Sequence, residues 1–143
     1  GEALATARAR GLMSAPATSA AMRTYLLRGD TTWTWRMLLQ GRDHLQLMIA
    51  EPDAPTRQQF LDSWEAEPTS VGSREWDALL AAITGHEFER AGTEEPAWTR
   101  RATLETPWLP EHPFLSPDRV LAQTPEWLKE RNIFIPRRDL VTA

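Results

Sequence analysis

The last third of the chain interleaves tryptophan with proline. Between Glu95 and Ala143, Trp98, Trp108 and Trp127 stand among Pro96, Pro107, Pro110, Pro113, Pro117, Pro125 and Pro136. Proline fixes φ and removes a backbone donor, so this stretch is neither one long helix nor a central strand. Disordered proline-rich tails lack large apolar side chains, because they cannot bury enough surface to offset chain entropy. This segment places Trp, Phe, Leu or Ile at every bend. It is therefore expected to be an ordered strap laid across a helical body over about residues 93–115, pinned by Trp98, Leu104, Trp108, Leu109 and Phe114.

A body for that strap is available. The 143 residues suit one domain, and a chain of this size buries about two-thirds of its unfolded surface without staples. Cysteine is absent, which excludes disulfides, thiolate metal sites and a cysteine nucleophile. The formal charge is −4, and no basic stripe of the kind a general nucleic-acid binder carries is visible. All but one of the basic residues are arginine, Lys129 being the exception. No signal peptide and no apolar run of membrane-spanning length is present, so a cytoplasmic protein is expected. The chain starts Gly-Glu rather than Met, as a trimmed chain or a fragment would.

Helical spacing organises the rest. Residues 1–20 are rich in Ala, Ser, Thr and Arg. Ala3–Met13 can be helical by propensity, but its apolar stripe is thin, and Ser14-Ala15-Pro16 reads as a stop. Residues 1–18 are expected to be a linker or flexible segment, leaving residues 19–143 as a single helical domain. A short helix is expected from about Ser19 to Arg28, closed by Gly29-Asp30. Asp30 or Thr31 then caps a longer one to about Ala50. In it Trp33, Met37, Gly41, Leu45 and Met48 recur at helical spacing, and Trp35, Leu38, Leu39 and Ile49 widen the stripe. Another runs from Pro55 or Thr56 to about Glu67. Ser73 caps the clearest, with Glu75 and Asp77 in the first turn and Trp76, Leu80 and Ile83 as its central core. Gly85 is a weak point inside it. Ser116-Pro117 and Thr124-Pro125 each carry a start signal, and Asn132 a left-handed stop before the β-like run Ile133-Phe134-Ile135. The expected fold is mainly α: four to five helices, the Trp/Pro strap and a short C-terminal β-like segment.

Catalytic signatures are missing. His44, His86 and His112 each adjoin an acid, but none has a second histidine at metal-ligand spacing, so capping or exposed roles are expected and no metal. Glu87 and Glu89 point apart on a helix. The serines lack a nucleophile-elbow context, with Ser73 and Ser116 better read as caps. The scattered glycines exclude a phosphate loop. No catalytic residue and no cofactor is expected. What remains is an unusual supply of Trp and Arg, the residue types enriched at interface hot spots. Trp33 and Trp35 cannot face the same way on one helix, so one of them is available to a second surface. With the Arg100-Arg101 pair beside Trp98, these are the expected partner contacts.

Trp76-Asp77-Ala78-Leu79-Leu80, Pro96-Ala97-Trp98-Thr99, Pro107-Trp108 and Arg131-Asn132-Ile133-Phe134-Ile135 form an ordered pattern over about residues 73–140. In it the chain resembles the C-terminal region of small actinobacterial antitoxin-like and regulatory proteins. The likeness implies a protein partner, such as a toxin-like or nucleotidyltransferase-like neighbour, and transfers no catalytic residue. The first seventy residues show no helix-turn-helix. The leading expectation is a non-enzymatic protein-interaction domain of antitoxin or transcriptional-regulator type. Two alternatives stand beside it. One is a small helical enzyme or toxin with an Arg/His/carboxylate site. The other is an accessory domain of a DNA-binding regulator that touches nucleic acid through arginines.

Overall fold

The computed structural model describes residues 1–101 and 103–141, without the side chain of Arg101. The described residues form seven α-helices: α1 Glu2–Ala9, α2 Ala15–Leu26, α3 Thr31–Ile49, α4 Ala54–Glu65, α5 Arg74–Arg90, α6 Pro117–Gln123 and α7 Glu126–Lys129. Two 3-10 turns, Ala97–Arg101 and Arg137–Leu140, lie in the C-terminal third. The mainly α class is as expected, but the count exceeds the expected four to five.

The N-terminal residues supply part of that excess. Ser14-Ala15-Pro16 starts a helix rather than stopping one. Ser14 Oγ accepts from Ala17 N at 3.1 Å, and Pro16 occupies the first turn of α2, where a missing N–H costs nothing. The segment read as a linker is itself helical. α1 lies on α4 with Ala7 buried, and Thr6 Oγ1 donates to Gln59 Oε1 at 3.0 Å. Side-chain caps open four further helices, from Asp30, Asp53, Ser73 and Ser116.

α5 is the central element. It packs on α3, on the Ala97–Arg101 turn and on α7, and every residue from Ala78 to Gly85 is buried. A helix apolar all round needs partners on all sides. Leu80 and Ile83 lie deep in the core, while Trp76 is only half-buried. α2 and α3 pair closely. The buried face of α3 is Thr34, Leu38, Gly41, Leu45 and Met48, which leaves Trp33 outside. Gly41 makes this closeness possible: a Cβ there would stand 2.4 Å from Thr18 Oγ1.

The strap is tied at specific points. Trp98 is buried and its Nε1 donates to the Trp64 carbonyl at 2.9 Å. Trp64 Nε1 in turn donates to the Met13 carbonyl at 3.1 Å. Leu104 and Trp108 are partly buried against the core. Leu109 and Phe114, expected as pins, are not: Phe114 is 82% exposed and Leu109 38%. The expected C-terminal β-like segment is also absent as a strand. Ile133 makes one isolated parallel bridge to Trp108, with Trp108 N donating to the Asn132 carbonyl and Phe134 N to the Trp108 carbonyl. Pro107, Pro110 and Pro136 remove donors on both sides of that bridge, so no ladder can extend from it. Asn132 does adopt the left-handed conformation, at φ +63°, and its Nδ2 holds the Leu104 carbonyl at 2.8 Å.

Candidate functional site

Of the four side chains expected as partner contacts, Trp33, Trp35 and Arg100 do not converge. Trp33 is the one exposed tryptophan, at 42%; the other six are buried or half-buried. Its position follows from the local turn. Gly29 takes φ +72° to end α2, and the Asp30 carboxylate accepts from Trp33 N at 3.0 Å to start α3. Trp33 is thus in the first turn of α3, beside the last turn of α2. Its ring stacks on Tyr25, with centroids 5.7 Å apart at 26°. Arg36 Cζ lies 4.9 Å from the Trp33 centroid and Arg28 Cζ 5.7 Å from that of Tyr25. Leu27, in the same turn, is 71% exposed. Trp33 and Tyr25 thus form an aromatic surface flanked by two guanidiniums.

Trp35 belongs elsewhere. It makes an edge contact with Trp76 at 6.3 Å, and Trp76 makes one with Trp108 at 5.6 Å. This ladder fastens the strap to α3 and α5. Arg100 is engaged by Glu94 at 3.0 Å and Glu95 at 3.6 Å. Glu95 also faces Arg131, whose Nη1 donates to the Thr99 carbonyl. Gly85 has its reason here, since a Cβ would come within 2.3 Å of Glu95 Oε2. The Arg101 side chain lies outside the described residues.

A second site was not legible in the sequence. A cavity of about 220 Å³ lies between α3, α5 and the C-terminal residues, lined by Arg42, His86, Glu87, Arg90, Trp127 and Arg137 among others. Glu87 is 4% exposed. Gln46 Nε2 donates to both its oxygens, at 2.7 and 3.2 Å, and Arg90 Nη1 donates to Oε1 at 3.2 Å. A buried carboxylate needs this many donors to offset its desolvation. The His86 ring lies flat on Trp127, with centroids 3.9 Å apart at 6°. Burial pushes the His86 pKa below the ordinary histidine value, with Arg90 acting in the same direction and Glu87 and Glu89 opposing. Arg42 Nη1 donates to the Leu140 carbonyl, which draws the C-terminal segment over α3. The contacts that close the site join Gln46 to Glu87 and Arg42 to Leu140, 41 and 98 positions apart in the chain, so local spacing announces only the pair of Glu87 and Arg90.

The other two histidines act as acceptors in the framework. His44 Nδ1 accepts from Met13 N at 2.9 Å. His112 Nδ1 accepts from Phe114 N and Leu115 N, and its Nε2 faces Asp139 at 3.1 Å. Among the described residues no group of three or more His, Asp and Glu side chains is placed to hold a metal ion. No described helix is long and apolar enough to cross a membrane. Comparisons of the chain with protein-family models, with curated proteins and with solved structures each return no match.

Proposed function

We propose that this chain is a non-enzymatic protein-interaction domain, of the antitoxin or transcriptional-regulator type that residues 73–140 resemble. It takes an acidic segment of a partner protein, anchored by a bulky apolar side chain, on the surface built by Tyr25, Arg28, Trp33 and Arg36. A toxin-like or nucleotidyltransferase-like partner would fit the resemblance. One observation carries the reading: the single exposed tryptophan is stacked on Tyr25 and lies under an arginine. Trp and Arg together dominate interface hot spots. The surface offers Arg28 and Arg36 against Asp30, whose carboxylate is occupied by the helix cap. It is therefore cationic on a chain of net charge −4, and favours an acidic partner.

The alternative of an Arg/His/carboxylate enzyme draws support from the cavity that joins His86 and Glu87. The geometry favours it less. Glu87 already accepts from Gln46 and Arg90, and one face of His86 is covered by Trp127. A general base needs a lone pair aimed at substrate. The nucleic-acid alternative loses Arg100, which is held by two glutamates.

The test is selection of displayed random peptides on the purified chain. Peptides enriched in Asp and Glu around one large apolar residue are expected, and their capture should fail with Trp33→Ala. Enrichment that is indifferent to Trp33→Ala, or no enrichment, contradicts the reading.

A further inference from the structure

The cavity between α3, α5 and the C-terminal segment is independent of the aromatic surface. Its lining carries three guanidiniums, Arg42, Arg90 and Arg137, against one carboxylate, Glu87. The Glu87 charge is already matched by Arg90 and its oxygens are covered by Gln46. Arg42 is fixed through Asp43 at 3.2 Å and through the Leu140 carbonyl. Arg137 is exposed at the mouth and makes no hydrogen bond or ion pair among the described residues. The cavity is thus a small cationic recess with one uncommitted guanidinium, on a chain that is acidic as a whole.

Guanidinium groups present a rigid fork of N–H donors that matches the oxygens of phosphate and carboxylate. A volume of about 220 Å³ is below that of a drug-sized site but ample for a small ion of this type. We propose that this recess binds a small dianionic oxyanion, held by Arg137 and the free donors of Arg90. Phosphate and a short dicarboxylate share the chemistry. His86, clamped flat on Trp127, forms part of the wall and contributes shape.

Calorimetric titration of the whole chain at constant ionic strength tests this, with inorganic phosphate in one arm and malonate in the other. At least one of them should bind with a Kd below about 1 mM, and the tighter arm identifies the source of the dianion. Arg137→Gln should weaken that binding at least about tenfold. Arg138→Gln, which removes an exposed neighbour that does not line the recess, should leave it unchanged. Because Arg137 is exposed, its loss does not threaten the fold. The proposal is overturned if neither anion binds with a Kd below about 1 mM, if Arg137→Gln binds as the wild type does, or if both variants weaken binding equally, which would be surface screening.

Discussion

Gly41→Ala is the most informative single change to the framework. Helix propensity alone favours it: alanine in a helix interior is better than glycine by about 1 kcal/mol. The structure reverses that sign. The new Cβ would stand 2.4 Å from Thr18 Oγ1, 2.5 Å from Thr18 Cγ2 and 3.0 Å from Thr18 Cβ. Both branches of the threonine are in the way, so rotating about χ1 exchanges one clash for another. Rotation would also break the bond from Thr18 Oγ1 to the Ser14 carbonyl, 2.8 Å long and fully buried. Relief requires α2 and α3 to move apart, and overpacking of this kind costs about 1–3 kcal/mol or somewhat more. Two heavy atoms within 2.5 Å put the cost in the upper half of that range, about 2–3 kcal/mol, and with the propensity gain subtracted a net destabilisation of about 1–2 kcal/mol is expected. Urea denaturation of Gly41→Ala, Thr18→Ala and the double variant measures it. Thr18→Ala removes the obstructing branches, so the double variant should be more stable than the sum of the single effects predicts, by about 1 kcal/mol or more. A Gly41→Ala protein as stable as the wild type, or more so, would refute the close approach of these two helices.

Three further outcomes follow from the same packing. Leu80→Ala, at the centre of the helix buried on all sides, should cost about 2–5 kcal/mol; an unchanged denaturation midpoint would mean the buried face of α5 is elsewhere. Gly85→Ala should behave unlike Gly41→Ala, because the obstructing atom is the far end of the flexible Glu95 side chain. Glu95 can swing away, and the net change should stay within about 1 kcal/mol of zero; a loss as large as that of Leu80→Ala would contradict this. Because the folded-state pKa of His86 lies below its unfolded value, the unfolded chain takes up the proton first as pH falls. The His86 contribution is therefore whole above about pH 6.5 and is lost progressively below it. Wild type should lose more stability than His86→Gln between about pH 7.5 and about pH 5.5, and equal losses measured by denaturation at the two pH values would contradict the burial of that ring.

Legibility in the sequence followed the range of each interaction. Asp30, Ser73 and Ser116 were recognisable as caps because the group they satisfy is three residues away. Ser14-Ala15-Pro16 carries the same kind of signal, but it directly follows a segment with a thin apolar stripe and so reads as a stop. Hydropathy does not register the first turns of α2 either, because the residues buried there, Ala15, Thr18 and Ser19, are small. Trp33 shares helical spacing with Met37 and Gly41, yet the face of α3 that is buried runs through Thr34 and Leu38. A wide stripe leaves that choice to the partner helix. Gly85 reads as a weak point within α5 because the group that requires it, the Glu95 carboxylate, lies outside that helix. The recess around Glu87 depends on contacts between α3, α5 and the C-terminal end, and periodicity within any one of them is silent about it.

The Trp33 surface is the proposed meeting point with a partner. The measurement that tests it is the Kd of a selected acidic peptide for wild type, Trp33→Ala and Phe114→Ala, with thermal melting of each. Phe114 is the more exposed aromatic, at 82% against 42%, so it controls for mere apolar exposure. The account predicts that Trp33→Ala weakens binding by at least about 30-fold, the size of a hot spot of 2 kcal/mol, while its melting temperature moves little and Phe114→Ala binds as the wild type does. Equal affinities for wild type and a folded Trp33→Ala would contradict it.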